Sequence, residues 1–105
     1  MTAEVIFSPD AQTDLDELYD WIADRTGSDT AQRYMDRIRR HCERLDVFPL
    51  RGTRRDDLAP GLRTFGIERR VLVAFKVYPD SVVIVRVLYG GRDVDAILGG
   101  GDDAT

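Results

Sequence analysis

The apolar positions of the chain change period once along its length. Residues 3–7 (Ala-Glu-Val-Ile-Phe) read as a short strand that stops at Ser8-Pro9. There Ser8 suits a helix N-cap, Pro9 a first helical position and Asp10 the first turn, where the helix dipole favours an acid. Ala11, Leu15, Leu18 and Ile22 then recur at helical spacing until Thr26-Gly27 supplies a stop. A second helix is predicted from about Ser28-Asp29-Thr30, through Ala31, Tyr34/Met35, Ile38, Cys42 and Leu45, to Phe48-Pro49. Only a few residues separate the two, which implies an antiparallel helical hairpin.

Residues 49–61 are rich in breakers and charge and read as a loop. Beyond them the period shortens. Residues 62–67, 69–78 and 81–89 are β-branched or aromatic runs, the last two joined by Pro79-Asp80 as a tight turn. Gly90-Gly91 ends the last strand, 93–98 form a short terminal helix or a strand extension, and 99–105 read as a flexible tail. The predicted order is β-α-α-β-β-β: an α+β domain over 1–98, with a helical hairpin on a small, mostly antiparallel sheet.

The last strand is apolar on both sides, with Val83, Val85, Val87 and Tyr89 alternating with Val82, Ile84, Arg86 and Leu88. The strand before it is similar. One helical hairpin covers one sheet face, so apolar surface is expected to remain on the other for a partner, unless the long loop and C-terminal segment fold across it.

Composition narrows the class. The chain has 105 residues, enough for one domain with a modest core. No apolar run reaches the roughly 20 residues of a membrane span, the start shows no secretory signal, and the single cysteine cannot form an intrachain disulfide. A reducing cytoplasm is the expected location. The net charge of −4 is unevenly spread: residues 1–30 carry −7, residues 31–70 carry +5 and residues 71–105 carry −2. A nucleic-acid footprint over the whole surface is therefore not expected. Arginine provides nearly all the positive charge, which suits pairing with carboxylates or phosphates.

Several side chains stand out. Arg33, Arg37, Arg40 and Arg44 fall at i, i+4, i+7 and i+11, a ridge away from the core stripe of the second helix. They form either a solvated face paired with Asp36, Glu43 or the first-helix acids Asp14, Glu17, Asp20 and Asp24, or a docking ridge for an acidic partner. Trp21, at the edge of the first helix's apolar stripe, is either a core-border residue or an interface anchor. Cys42 lies on the core stripe and reads as packing. His41 has no cysteine or histidine partner at zinc-ligand spacing, so no metal is expected. Arg86, among apolar neighbours, calls for an acidic partner, with Asp93 or Glu68 available.

These features together resemble the RelE/ParE toxin superfamily over about residues 4–98. The resemblance rests on the element order, Ala11-x-x-x-Leu15, Phe48-Pro49 with Gly52, Gly61-Leu62-Arg63 and, most specifically, Arg86-Val87-Leu88-Tyr89-Gly90-Gly91-Arg92-Asp93. It implies the toxin of a bacterial type II toxin–antitoxin module, without a cofactor and bound in a hetero-oligomer by an antitoxin whose C-terminal segment wraps it. It further implies that DNA is reached only through the antitoxin and that no membrane is involved. A RelE-like member cleaves mRNA in the ribosome and needs a base, an acid and clustered cations. Arg63 and Arg92 match two such basic positions, but Phe65 stands where a lysine is usual, Val71 or Leu72 where another cation is expected, and Leu98 near the usual C-terminal tyrosine. The ParE-like branch matches better and implies a non-enzymatic inhibitor of DNA gyrase, with a ParD-like antitoxin. Expected target contacts are Arg86, Tyr89, Arg92 and Asp93. Expected antitoxin contacts are Trp21, Arg33, Arg37, Arg40, Arg44 and Arg63.

Overall fold

A computed structural model describes residues 4–90 and 94–99. The elements are β1 (Glu4–Phe7), α1 (Pro9–Thr26), α2 (Ser28–Glu43), a single 3-10 turn (Arg44–Asp46), β2 (Thr53–Arg54), β3 (Leu62–Ile67), β4 (Val71–Val77), β5 (Ser81–Tyr89) and α3 (Val94–Gly99). The strands form one mixed sheet in the order β1-β5-β4-β3-β2, with β1 parallel to β5 and the other pairs antiparallel. The architecture is α+β, with α1 and α2 packed on one face. Residues Arg92 and Asp93, and the tail from 100 to 105, lie outside the described residues.

The cap at Ser8 does two jobs. Its hydroxyl oxygen accepts from the Ala11 N–H at 3.0 Å, starting α1, and its hydroxyl donates to the Val85 carbonyl at 2.9 Å, fixing that start against β5. Gly27, at φ +96°, both ends α1 and opens α2, so the hairpin turns within one residue. Ala11, Leu15, Leu18 and Ile22 then meet Ala31, Met35, Ile38 and Cys42 over Ile67, Val71, Val73, Phe75, Val82, Ile84 and Val87. Gly52, at φ +85°, passes so close to β3 that an added Cβ would sit 2.4 Å from the Thr64 carbonyl oxygen.

Four sequence expectations change. The second helix does not run to Phe48: it tightens into the 3-10 turn, which buries Leu45 and leaves Val47 and Phe48 exposed. Part of the long loop is strand, because Thr53 and Arg54 pair with Thr64 and Arg63. The third predicted strand starts at Val71 rather than 69, because Glu68 and Arg69 form a two-residue turn with φ of +54° and +62°. Finally, strict alternation along β5 fails. Phe75 pairs with Ile84 and Ala74 with Arg86, which leaves Val85 as the extra residue of a bulge. The bulge resets the parity, so Val82, Ile84, Val87 and Tyr89 all contribute to the helix-side core.

The expected shortage of cover on the second sheet face is also corrected. The register puts Leu62, Thr64, Ala74 and Leu88 on the face away from the hairpin, and all four are buried. The turn at 55–61 folds back on β3 through Arg55 N–H to Leu62 O and Leu62 N–H to Ala59 O. It also meets α3, where Gly99 lies against Leu58.

Among the described residues Arg86 has a partner that is not Glu68, and the other expected acid, Asp93, lies outside them. Asp14 of α1 accepts from Arg86 Nε at 2.8 Å and Nη2 at 2.9 Å, and from the Val87 N–H at 2.9 Å. The side chain of Asp14 is 4% exposed, so the pair is sheltered and the carboxylate's acceptor sites are well filled. Glu68 instead pairs with Arg37 at 2.8 Å, an exposed contact that ties the β3–β4 turn to α2. Removing Asp14 strands a guanidinium and a backbone N–H together. Asp14→Ala should therefore cost about 2–4 kcal/mol in urea unfolding, whereas Arg37→Ala should cost under about 1 kcal/mol. Arg37 holds the Glu68 carboxyl below its ordinary range, so this smaller contribution is present at neutral pH and fades as pH falls through that lowered value. Arg69→Gly should raise stability by up to about 1 kcal/mol, measured in the same titrations, by relieving a positive φ without touching the Arg37–Glu68 pair.

Candidate functional site

A groove of about 580 Å³ lies between α1 and the outer edge of β5. Asp14, Glu17, Leu18 and Trp21 line it from the helix, and Val87 and Tyr89 from the strand. The helical spacing of Asp14, Leu18 and Trp21 turns these side chains toward β5, while the bulge at Val85 brings Val87 and Tyr89 onto the same side. The Trp21 and Tyr89 rings lie 5.0 Å apart at 55°, and Tyr34 meets Tyr89 edge-on at 6.4 Å. The guanidinium of Arg25 caps the Trp21 ring at 4.1 Å. Trp21 nevertheless remains 42% exposed. It is thus a wall of the groove rather than a core residue. Burial raises the Tyr34 phenol above its ordinary value, and its hydroxyl finds no hydrogen-bond partner among the described residues.

This geometry joins residues that the sequence reading had separated. Tyr89, expected at the target contact, and Trp21, expected at the antitoxin contact, are stacked in one groove. Arg86 stands behind it, held by Asp14. Tyr34 was not singled out from the sequence. Its place on the α2 core stripe was visible, but its meeting with Tyr89 depends on the pairing of β5.

The arginine ridge forms a second, shallower site. Arg37, Arg40, His41 and Arg44 line a cavity of about 180 Å³, and Glu68 on Arg37 is the acid paired with it among the described residues. Arg33 lies on the same helix, with Nη2 3.5 Å from the Thr30 hydroxyl. Arg63 does not join this ridge: it donates to the Leu50 carbonyl at 2.9 Å and holds the loop before β2. Val47, Phe48 and Leu50, which follow the ridge in sequence, are each more than half exposed, an unusual run of open apolar side chains. The sequence marks Phe48-Pro49 as a helix stop and as part of the family resemblance, not as exposed apolar surface.

Among the described residues no group of three or more His, Cys, Asp or Glu side chains is placed to hold a metal ion, and no helix is long and apolar enough to cross a membrane. Cys42 is fully buried and desolvation pushes its thiol up to about 12, so it stays protonated and unreactive at neutral pH.

Comparison with known proteins agrees with this arrangement. The family model described as "ParE toxin of type II toxin-antitoxin system, parDE" matches residues 5–94. Toxin ParE3 of Caulobacter vibrioides is 36% identical over 86 residues, covering 82% of this chain and 85% of that one. Toxin ParE1 of Mycobacterium tuberculosis is 31% identical over 98 residues, covering 93% of this chain and all of the relative. Among solved structures, a chain of the chromosomal ParDE TA system from P. aeruginosa superimposes with a TM-score of 0.74 at 25% identity, covering 84% of this chain and 96% of that one. A match spanning both the hairpin and the whole sheet shows that the chain belongs to the ParE family of toxins of type II toxin–antitoxin systems.

Proposed function

We propose that this chain acts in the cytoplasm by binding and inhibiting DNA gyrase, and that a ParD-like antitoxin neutralises it in a hetero-oligomer. The family match over residues 5–94 carries the reading. The disposition of the cations supports a binding inhibitor over a ribonuclease. Among the described residues Arg86 is engaged by Asp14 and Arg63 by a loop carbonyl, so neither guanidinium is left free for phosphate chemistry. Tyr89, Arg92 and Asp93 are the proposed target contacts, while Arg86 serves to position the strand that presents them.

For the antitoxin we propose a surface made of the Arg33/Arg37/Arg40/Arg44 ridge and the neighbouring Val47, Phe48 and Leu50. An amphipathic segment with carboxylates on one side and apolar residues on the other fits it.

Two measurements test these proposals. Purified protein should abolish gyrase supercoiling and accumulate cleaved-DNA complexes, with Arg92→Ala folded but weaker. Cleavage of mRNA in a translating extract with supercoiling untouched would instead establish the ribonuclease. Separately, Arg37→Glu combined with Arg40→Glu should weaken antitoxin binding by at least about tenfold, since it reverses charge within a few ångströms of the proposed carboxylates. Unchanged affinity removes the ridge from the interface.

A further inference from the structure

Two departures from local preference meet at the tip of the β3–β4 hairpin. Glu68 and Arg69 both take positive φ, +54° and +62°, where a two-residue turn ordinarily uses asparagine and glycine. Glu68 makes the Arg37 pair from that position, but Arg69 forms no hydrogen bond or ion pair among the described residues that would offset its conformation. Gly66 is the other departure. It sits inside β3 without a positive φ, and a Cβ added to it would meet nothing nearer than the Val71 carbonyl oxygen at 3.8 Å, an ordinary contact. A glycine weakens a strand, and neither the backbone nor a neighbour requires one here. The two residues border one hollow. Gly66, Leu72 and Leu88 lie in register across β3, β4 and β5 on the face away from the helical hairpin, and a space of about 220 Å³ remains beside that row. Arg69 and Arg70 line it, both exposed and neither in an ion pair among the described residues, since Glu68, whose charge Arg70 feels, is held by Arg37. Gly90 lines it too, two residues before the proposed target contact Arg92. No acid lines it, unlike the groove beside α1.

We infer that this hollow receives a nucleotide of the DNA strand held in the gyrase complex, its phosphate against Arg69 and Arg70 and its sugar or base on the floor made by Gly66, Leu72 and Leu88. The inference rests on the gyrase reading above. Two unpaired guanidiniums fit a phosphate, and a deoxyribose or base is a broad, weakly polar body that suits an apolar floor. An acidic side chain would match the arginines, but its slender stem would leave that floor uncovered. A glycine in the floor and an arginine in a strained turn then share one reason, since the first makes room for the strand and the second reaches it. Among the described residues the lining has no carboxylate, imidazole or hydroxyl, so it can grip a phosphate but move no proton, as a binding inhibitor needs. The net charge of −4 is no obstacle, because the enzyme presents the strand and the toxin need not capture free duplex through its own field.

Trapping of cleaved plasmid DNA by purified gyrase, read beside urea titrations, tests this. Arg69→Gly should unfold at higher urea than the unsubstituted protein yet trap cleaved DNA at least about fivefold less well, as loss of a charged phosphate contact predicts. Arg70→Ala should lose about the same factor, and Gly66→Val, which fills the hollow with a residue suited to a strand, should lose at least as much with no loss of stability. A merely structural role would move stability and trapping together, so a variant that gains one and loses the other separates the two. A photoreactive side chain placed at residue 70 should crosslink to the DNA strand in the trapped complex. Crosslinking to a gyrase subunit alone overturns the DNA contact in favour of an acidic protein surface. Full trapping by all three variants removes the hollow from the target interface and leaves the gyrase reading standing. Unsubstituted protein that traps no cleaved DNA sinks that reading and this inference together.

Discussion

One carboxylate reconciles two elements of unequal length. β5 runs nine residues and its parallel neighbour β1 only four, so half of an interior strand's edge has no strand beside it. Asp14 meets that mismatch by accepting both the Val87 N–H and the Arg86 guanidinium. Because Asp14 stands a turn and a half into α1, the contact fixes how the helix lies over the sheet. It also sets the distance between α1 and β5, and hence the width of the groove. The bulge at Val85 belongs to the same arrangement, since without the extra residue Val87 would face away from the hairpin.

This explains which parts of the molecule were legible in its sequence. The Ser8-Pro9 start, the Gly27 hairpin, the Pro79-Asp80 turn and the apolar stripes of both helices are local signals, and the structure keeps them. What could not be read depends on partners far along the chain. Asp14 and Arg86 are 72 residues apart, so nothing local in the sequence joins them, and Glu68, one of the acids expected there, pairs with Arg37 instead. The bulge defeats a strict two-residue period, and β2 is too short to leave a pattern. The 55–61 segment folds back on β3 through backbone bonds at Leu62, which its run of charges and breakers did not announce. The groove itself was not legible, although Trp21 and Tyr89 were both marked. Their meeting follows from strand register.

The uneven charge seen along the chain becomes a spatial division. Asp14 and Glu17 of α1 line the groove, whereas the arginines of α2 form a ridge with one acid, Glu68, paired among them in the described residues. The two helices are adjacent, so a single partner can reach both surfaces. A protein of net charge −4 need not be a poor partner for an acidic segment, because the ridge presents a local field of the opposite sign at short range.

Aromatic stacking places Trp21, a wall of the groove, against Tyr89, a proposed target contact. A partner segment seated there would hide Tyr89 by occupying its space, so neutralisation by that route needs no change of shape in the toxin. Occlusion of that kind requires the antitoxin to bind more tightly than the target, and the docking surface proposed on α2 would supply extra affinity by keeping the segment at high local concentration.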